Sequence, residues 1–247
     1  MTMPPMPTRV IGQLVPSSNR TVERTTEYLL RRMPELGACY ARIPYRPDGS
    51  GQPEGGYDVA ACRVAADLLQ DAGIGALSWN GTKGALDGFQ VDRDLAAELA
   101  PIAGCPVRSV ALDVLEILRR LGAKRIGLIT QGQPDRTAFI GERFAAQGFP
   151  AAAQRSLGLA SNLEAAEVSP ATLSDAVRGC ARDAQVEAVL IWGTNMPGLP
   201  VVAKLEAELG IAVVDSCSIG LWGCLDALGI SGAPWVDEGK IFGLLKG

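Results

Sequence analysis

Two short segments carry groups able to hold an anion, and they read as copies of one another: Ser78-Trp79-Asn80-Gly81-Thr82-Lys83-Gly84 and Ile191-Trp192-Gly193-Thr194-Asn195-Met196-Pro197-Gly198. Each sets Gly-Thr where an apolar run ends, and ligands of open α/β sheets bind outside the carboxyl ends of strands. A third segment, Val15 to Glu23, supplies Ser17, Ser18 and Asn19 at a helix start, where unpaired N–H groups favour an anion. Thr130 and Gln131, at the end of a further apolar run, join these as candidate ligand donors. Asn80, Gly81, Thr82, Gly193, Thr194 and Asn195 are the donors expected from the paired turns, with loop capping as the plainer role of the last two. Trp79 and Trp192 either wall the pocket or pack beneath the turns.

Three residues offer acid–base or nucleophilic chemistry. Lys83 lies inside one turn, where an ammonium clamps a carboxylate, stabilises an oxyanion, or acts as a base once desolvated. A solvated loop lysine is the alternative. Glu23 is a base or a favourable charge in a first helical turn. Cys217, in Asp215-Ser216-Cys217-Ser218, is either a thiol acidified by a helix start or a small buried residue. The chain has no histidine, which removes Ser-His-Asp triads, Cys-His pairs and histidine-bound zinc. Its six cysteines form no Cys-x-x-Cys pair, a pattern expected of reduced thiols in the cytoplasm.

The elements that position these groups alternate. Strands are expected at 10–15, 75–79, 125–130, 187–192 and 211–215. Helices are expected at 21–32, 57–72, 108–121, 135–147, 169–184, 199–209 and 219–228, several ended by glycine. Such alternation implies parallel sheets covered by helices on both faces. The first half also lies on the second. Arg9 to Val15 matches Lys124 to Thr130, the Gly-Thr turns match, and the helix ending Leu121-Gly122 matches the one ending Leu228-Gly229. The expectation is an α/β fold of two pseudo-symmetric Rossmann-like halves, residues 10–122 and 123–230, with 231–247 packing back and the site between the halves.

Composition narrows the partners. Apolar residues make up 47% of the 247, charged residues 20%, and the net charge of −4 includes no basic run. That argues against nucleic acid, and no apolar stretch is long enough for a membrane span. Met1 to Arg9, with three prolines, reads as a frayed lead-in and not as a signal peptide.

The Val-Pro-Ser-Ser-Asn-x-Thr-x-Glu segment, the two turns, and Ala207 to Ser216 followed by Leu221-Trp222 together resemble the Asp/Glu racemase superfamily, in its branch of maleate cis-trans isomerases and arylmalonate decarboxylases. The resemblance implies chemistry on a small carboxylate through an enolate-type state, without metal or organic cofactor, in a homo-oligomer. It also implies one or two cysteines at the ends of the equivalent strands, which here fall at or beside Asn80-Gly81 and at Gly193, and a tyrosine near Gly132; all are replaced. The expectation is an isomerase or decarboxylase-like enzyme with a diverged, cysteine-less site. A hydrolase opening a small lactone or cyclic amide, with Glu23 or Lys83 as base, and a non-catalytic carboxylate binder are the alternatives.

Overall fold

A computed structural model describes residues 6–246, so Met1 to Pro5 of the expected lead-in and Gly247 lie outside the described residues. The first half runs β1 (Arg9–Pro16), α1 (Val22–Leu30), β2 (Leu36–Ile43), α2 (Val59–Gln70), β3 (Leu77–Trp79), α3 (Gly84–Asp87), α4 (Gln90–Ala103), β4 (Val107–Ser109) and α5 (Val110–Leu121). The second runs β5 (Ile126–Thr130), α6 (Pro134–Ala146), β6 (Ala151–Ser156), α7 (Asn162–Ala166), α8 (Pro170–Asp183), β7 (Ala188–Trp192), α9 (Leu199–Leu209), β8 (Ala212–Asp215) and α10 (Ser216–Ala227). Two all-parallel sheets result, ordered β2-β1-β3-β4 and β6-β5-β7-β8. The two orders are the same, each strand of one sheet having its counterpart four strands later in the other.

β5, β7 and β8 are buried along their whole length, as strands covered on both faces must be. Helix ends follow local chemistry. Ser109 Oγ accepts from Ala111 N at 3.2 Å to open α5, and Gly122 closes it at φ +69°, a left-handed conformation that suits glycine. One continuous core runs through both halves, from Ile11 and Leu115 to Leu190 and Trp222.

The helix α10 belongs to the second half in sequence but packs against α1, α5, β3 and β4 of the first. The following segment continues this crossing. Trp235, fully buried, donates from Nε1 to Leu29 O at 2.7 Å, and Trp222 Nε1 donates to Ile241 O at 2.8 Å. Among the described residues no helix is long and apolar enough to cross a membrane.

Candidate functional site

The carboxyl ends of β1, β3, β5 and β7 converge on a cavity of about 160 Å³ between the halves. Of the anticipated residues, Trp79, Gly81, Thr82, Lys83, Thr130, Gln131, Trp192, Gly193, Thr194 and Asn195 line it. The N–H groups of Gly81, Thr82, Thr194 and Asn195, all in residues that line the cavity, have no backbone acceptor among the described residues and so are free to serve as donors. Trp79 and Trp192 serve both anticipated roles at once. Each touches the cavity, and each is almost wholly buried and braced edge-on by an aromatic ring, Tyr57 at 5.3 Å and Phe144 at 5.1 Å.

The two turns are also backed alike. A Cβ at Gly84 would fall 1.6 Å from Asp92 Oδ2, and one at Gly198 would fall 2.6 Å from Asp215 Oδ1. In each turn a glycine lets a buried carboxyl press against the backbone. Burial pushes Asp92 up to about 7 against hydrogen bonds from Ser109 and Tyr57 that lower it, and pushes Asp215 up to about 6 against one from Ser218.

The segment Ser17-Ser18-Asn19 does not line the cavity; it ties the halves together beside it. Asn19 Oδ1 accepts from Thr21 N and Val22 N, each at 2.9 Å, while its Nδ2 donates to Thr194 O at 2.7 Å. Asn195 returns the contact, its Oδ1 accepting from Arg20 N at 2.7 Å. Ser17 fixes the backbone of Tyr45, and Ser18 Oγ accepts from Asn162 Nδ2 at 2.9 Å. Asn80 lies below the turn, its amide donating to Gln13 Oε1 at 2.6 Å. Thr130 Oγ1 is held by Thr137 Oγ1 at 2.6 Å, and Thr194 Oγ1 donates to Asn80 O at 2.9 Å. Thr82 Oγ1 makes no hydrogen bond among the described residues.

The three residues singled out for acid–base or nucleophilic chemistry are occupied elsewhere. Lys83 Nζ donates to Pro53 O at 2.6 Å and Gly56 O at 2.7 Å, which holds the segment before α2, and it forms an ion pair with Asp87 of α3 at 2.8 Å. Glu23 pairs with Arg42 at 2.8 Å, away from the cavity. Cys217 is fully buried behind the second turn, donating from Sγ to Thr194 O and Met196 O. Of its two readings the small buried residue holds: burial and the Asp215 charge push its thiol well above the ordinary range, opposite to acidification by the helix start. None of the six cysteines lines the cavity. Among the described residues no three Cys, Asp or Glu side chains are grouped to hold a metal ion.

Several lining residues escaped the sequence reading, among them the polar side chains of Tyr45, Asp48, Arg136, Ser161 and Asn162. Asn162 joins both halves, its N–H donating to Pro47 O at 2.9 Å and its Oδ1 accepting from Gln131 Nε2 at 3.0 Å. Tyr45 and Asn162 lie in stretches between the periodic segments, and Arg136 falls on an exposed position of the helix expected at 135–147, so neither pattern nor motif marks them.

A family model described as arylmalonate decarboxylase matches residues 34–242. The arylmalonate decarboxylase of Bordetella bronchiseptica is 28% identical over 95% of this chain and 97% of its own length. The maleate isomerase of Nocardia farcinica is 29% identical over 89% and 90%, respectively. A solved structure of the Nocardia farcinica maleate cis-trans isomerase, with a covalently bound succinylcysteine intermediate, superposes with a TM-score of 0.80 at 28% identity over 95% of this chain and 98% of that one. The maleate isomerase of Pseudomonas putida S16, with maleate, shares the fold at a TM-score of 0.85 and 22% identity, over 95% and 97%.

Proposed function

Because this chain belongs to the arylmalonate decarboxylase family, we propose that it acts without a cofactor on a small carboxylic acid, at the carbon beside the carboxylate, through an enediolate held by the paired turns. The observation that carries this reading is the convergence of two duplicated Gly-Thr turns, with unpaired N–H groups, on one small cavity. Such donors stabilise the negative charge that develops on a carboxylate when the adjacent carbon becomes carbanionic.

The chemistry is thiol-free in this reading. The relative from Nocardia farcinica forms its intermediate on a cysteine. Here Gly81 and Gly193 stand at the two strand ends, and the cavity lining contains no cysteine. The same lining favours decarboxylation over isomerisation or hydrolysis. Loss of carbon dioxide from a malonate-type dianion needs no base to start, since the carbon–carbon bond breaks and its electron pair stays behind as the enediolate. Isomerisation and hydrolysis need a nucleophile or base, and Lys83 and Glu23 are both committed to ion pairs. With no side-chain acid fixed on one face of the enediolate, water delivers the proton to carbon.

The test is incubation with phenylmalonate, maleate and a malonate bearing two different substituents, before and after alkylation of the accessible thiols. Carbon dioxide release that survives alkylation and yields racemic acid is the expected result. A single enantiomer, with activity abolished by alkylation, refutes the thiol-free route; absence of turnover with any of the three refutes the enzymatic reading.

A further inference from the structure

The helix α2 departs from the rule that the outer face of a surface helix is polar. Its core side carries Cys62, Ala65, Ala66 and Leu69, packed over β1 and β2. Its solvent side carries Ala60, Val64 and Leu68, four residues apart and therefore in one stripe. Val64 and Leu68 are 63% and 62% exposed, and with Val59 they make α2 the source of three of the eight large apolar side chains exposed among the described residues. Such a cluster, unlike a single exposed apolar residue, marks an interaction surface.

The duplication supplies a comparison within the same molecule. The helix α8 is the counterpart of α2, since each precedes the third strand of its sheet, β7 or β3. Each is also tied to the helix after that strand, Arg178 to Glu208 of α9 at 2.7 Å and Arg63 to Glu98 of α4 at 2.6 Å. The exposed positions of α8 carry Pro170, Ala171, Thr172, Asp175, Arg182 and Asp183, with no large aliphatic side chain among them. The fold makes the same demand on both helices, so it does not require the stripe on α2.

The charges beside the stripe point to what covers it. Arg63 and Asp67 are exposed one turn apart along its flank, and Arg63 gives Glu98 only part of its donor set. A second α2 running parallel would set Arg63 against Arg63 and Asp67 against Asp67. Running antiparallel about a two-fold axis near Ala65, it sets Arg63 of each copy against Asp67 of the other, with Val64 and Leu68 closing over the partner's stripe. The surface is complementary to itself, which is the condition for a closed two-fold contact. We propose that the outer face of α2 is an interface between two copies of this chain. One helix of 12 residues covers less than the roughly 800 Å² per partner of a standard stable interface, so the dimer is weak. No residue of α2 lines the cavity, so association and turnover fail separately.

Sedimentation velocity over about a hundredfold range of concentration tests this. Wild-type protein is expected to pass from monomer to dimer as concentration rises. Val64→Lys and Leu68→Lys are each expected to weaken association by about tenfold or more, because like charges then meet where apolar side chains did. Arg63→Glu alone and Asp67→Arg alone are each expected to stay monomeric. Mixed in equal amounts, those two variants are expected to recover the dimer, since the swapped charges then meet their opposites. Asp175→Lys, on the counterpart face of α8, is the control expected to change nothing. All these side chains are exposed, so thermal unfolding of each variant is expected to match the wild type. A wild type that is monomeric throughout overturns the proposal and leaves the stripe to a different protein. A dimer indifferent to Leu68→Lys, or a charge-swapped mixture that stays monomeric, overturns it as well.

Discussion

At the scale of single residues, the two glycines that stand at the strand ends are not interchangeable. A Cβ at Gly81 would fall 2.4 Å from Trp79 Nε1 and 2.5 Å from its Cε2, inside an indole braced by Tyr57. A Cβ at Gly193 would meet the flexible end of Met196 at 3.1 Å and Gln131 Oε1 at 3.4 Å, with the backbone at φ +156°. Introducing a thiol at position 81 therefore forces a rigid ring to move, whereas at 193 the neighbours yield and the cost is mainly backbone strain. Gly81→Cys is expected to lower unfolding stability by about 1–3 kcal/mol, the usual cost of overpacking, and to be relieved when Trp79→Leu is added. Thermal unfolding of the single and double variants checks this; a Gly81→Cys protein as stable as wild type, or one not rescued by the second change, contradicts the contact. The sequence placed both glycines at strand ends from the apolar runs before them. That one of them is locked by its neighbour's ring is a packing fact, and nothing in the local pattern marks it.

At the scale of elements, the duplication extends further than the sequence showed. The five strands anticipated, β1, β3, β5, β7 and β8, are central or well buried, and their apolar runs announced them. The unrecognised β2 and β6 are edge strands, one in each sheet, and unlike the opposite edge β8 they are not fully buried. Each pairs on one side only and is half-buried along most of its length, so Leu-Gly-Ala-Cys-Tyr-Ala-Arg-Ile and Ala-Ala-Ala-Gln-Arg-Ser carry neither a continuous apolar run nor a clean alternation. The short β4 was read as the first turn of α5, because Val107 to Ser109 runs into that helix without a break. The site is subject to the same limit. Groups that cap buried strands were legible, while Arg136 and Asn162, in the first turns of α6 and α7, were not. The equivalence of the turns carries its own prediction, because each closes over a carboxyl through a glycine. Gly84→Ala places a methyl against Asp92, and Gly198→Ala places one against Asp215. Both are expected to destabilise, the first more severely given its closer approach, by about 1–3 kcal/mol or beyond, and to weaken ligand binding because the turn amides shift. Chemical denaturation alongside calorimetric titration checks both effects. If either alanine leaves the stability of the protein unchanged, the carboxyl does not press on that turn.

At the scale of the whole molecule, the absence of histidine makes the pH dependence of stability unusually easy to interpret. The groups usually responsible for titration near neutrality are missing, and buried carboxyls raised by desolvation take their place: Asp92, Asp113, Asp215 and Glu206. Burial pushes Asp92 and Asp113 up to about 7 and Asp215 up to about 6, from an ordinary value of 3.8; the Arg108 charge beside Asp113, at 2.6 Å, reduces its shift without cancelling it. A carboxyl raised in the folded state holds its proton where the unfolded chain has already released it. Its contribution to stability is complete below the unfolded value and is lost as pH rises through the folded one. Carboxylates held low by partners, such as Asp48, Glu116 and Glu187, act in the opposite sense, but their effect is confined to the acid side of about pH 5. From pH 5 to 7, then, stability is expected to fall with rising pH, each raised group contributing at most about 1.4 kcal/mol per unit until it ionises. Asp92→Asn and Asp215→Asn, which keep an acceptor for Ser109 and Ser218 respectively, are each expected to flatten that slope. Unfolding midpoints measured across this range for wild type and the two variants decide the matter. A wild-type midpoint that stays level or climbs from pH 5 to 7 would mean that these carboxyls ionise inside the fold as readily as in water, and that the two turns rest on charges and not on neutral acids.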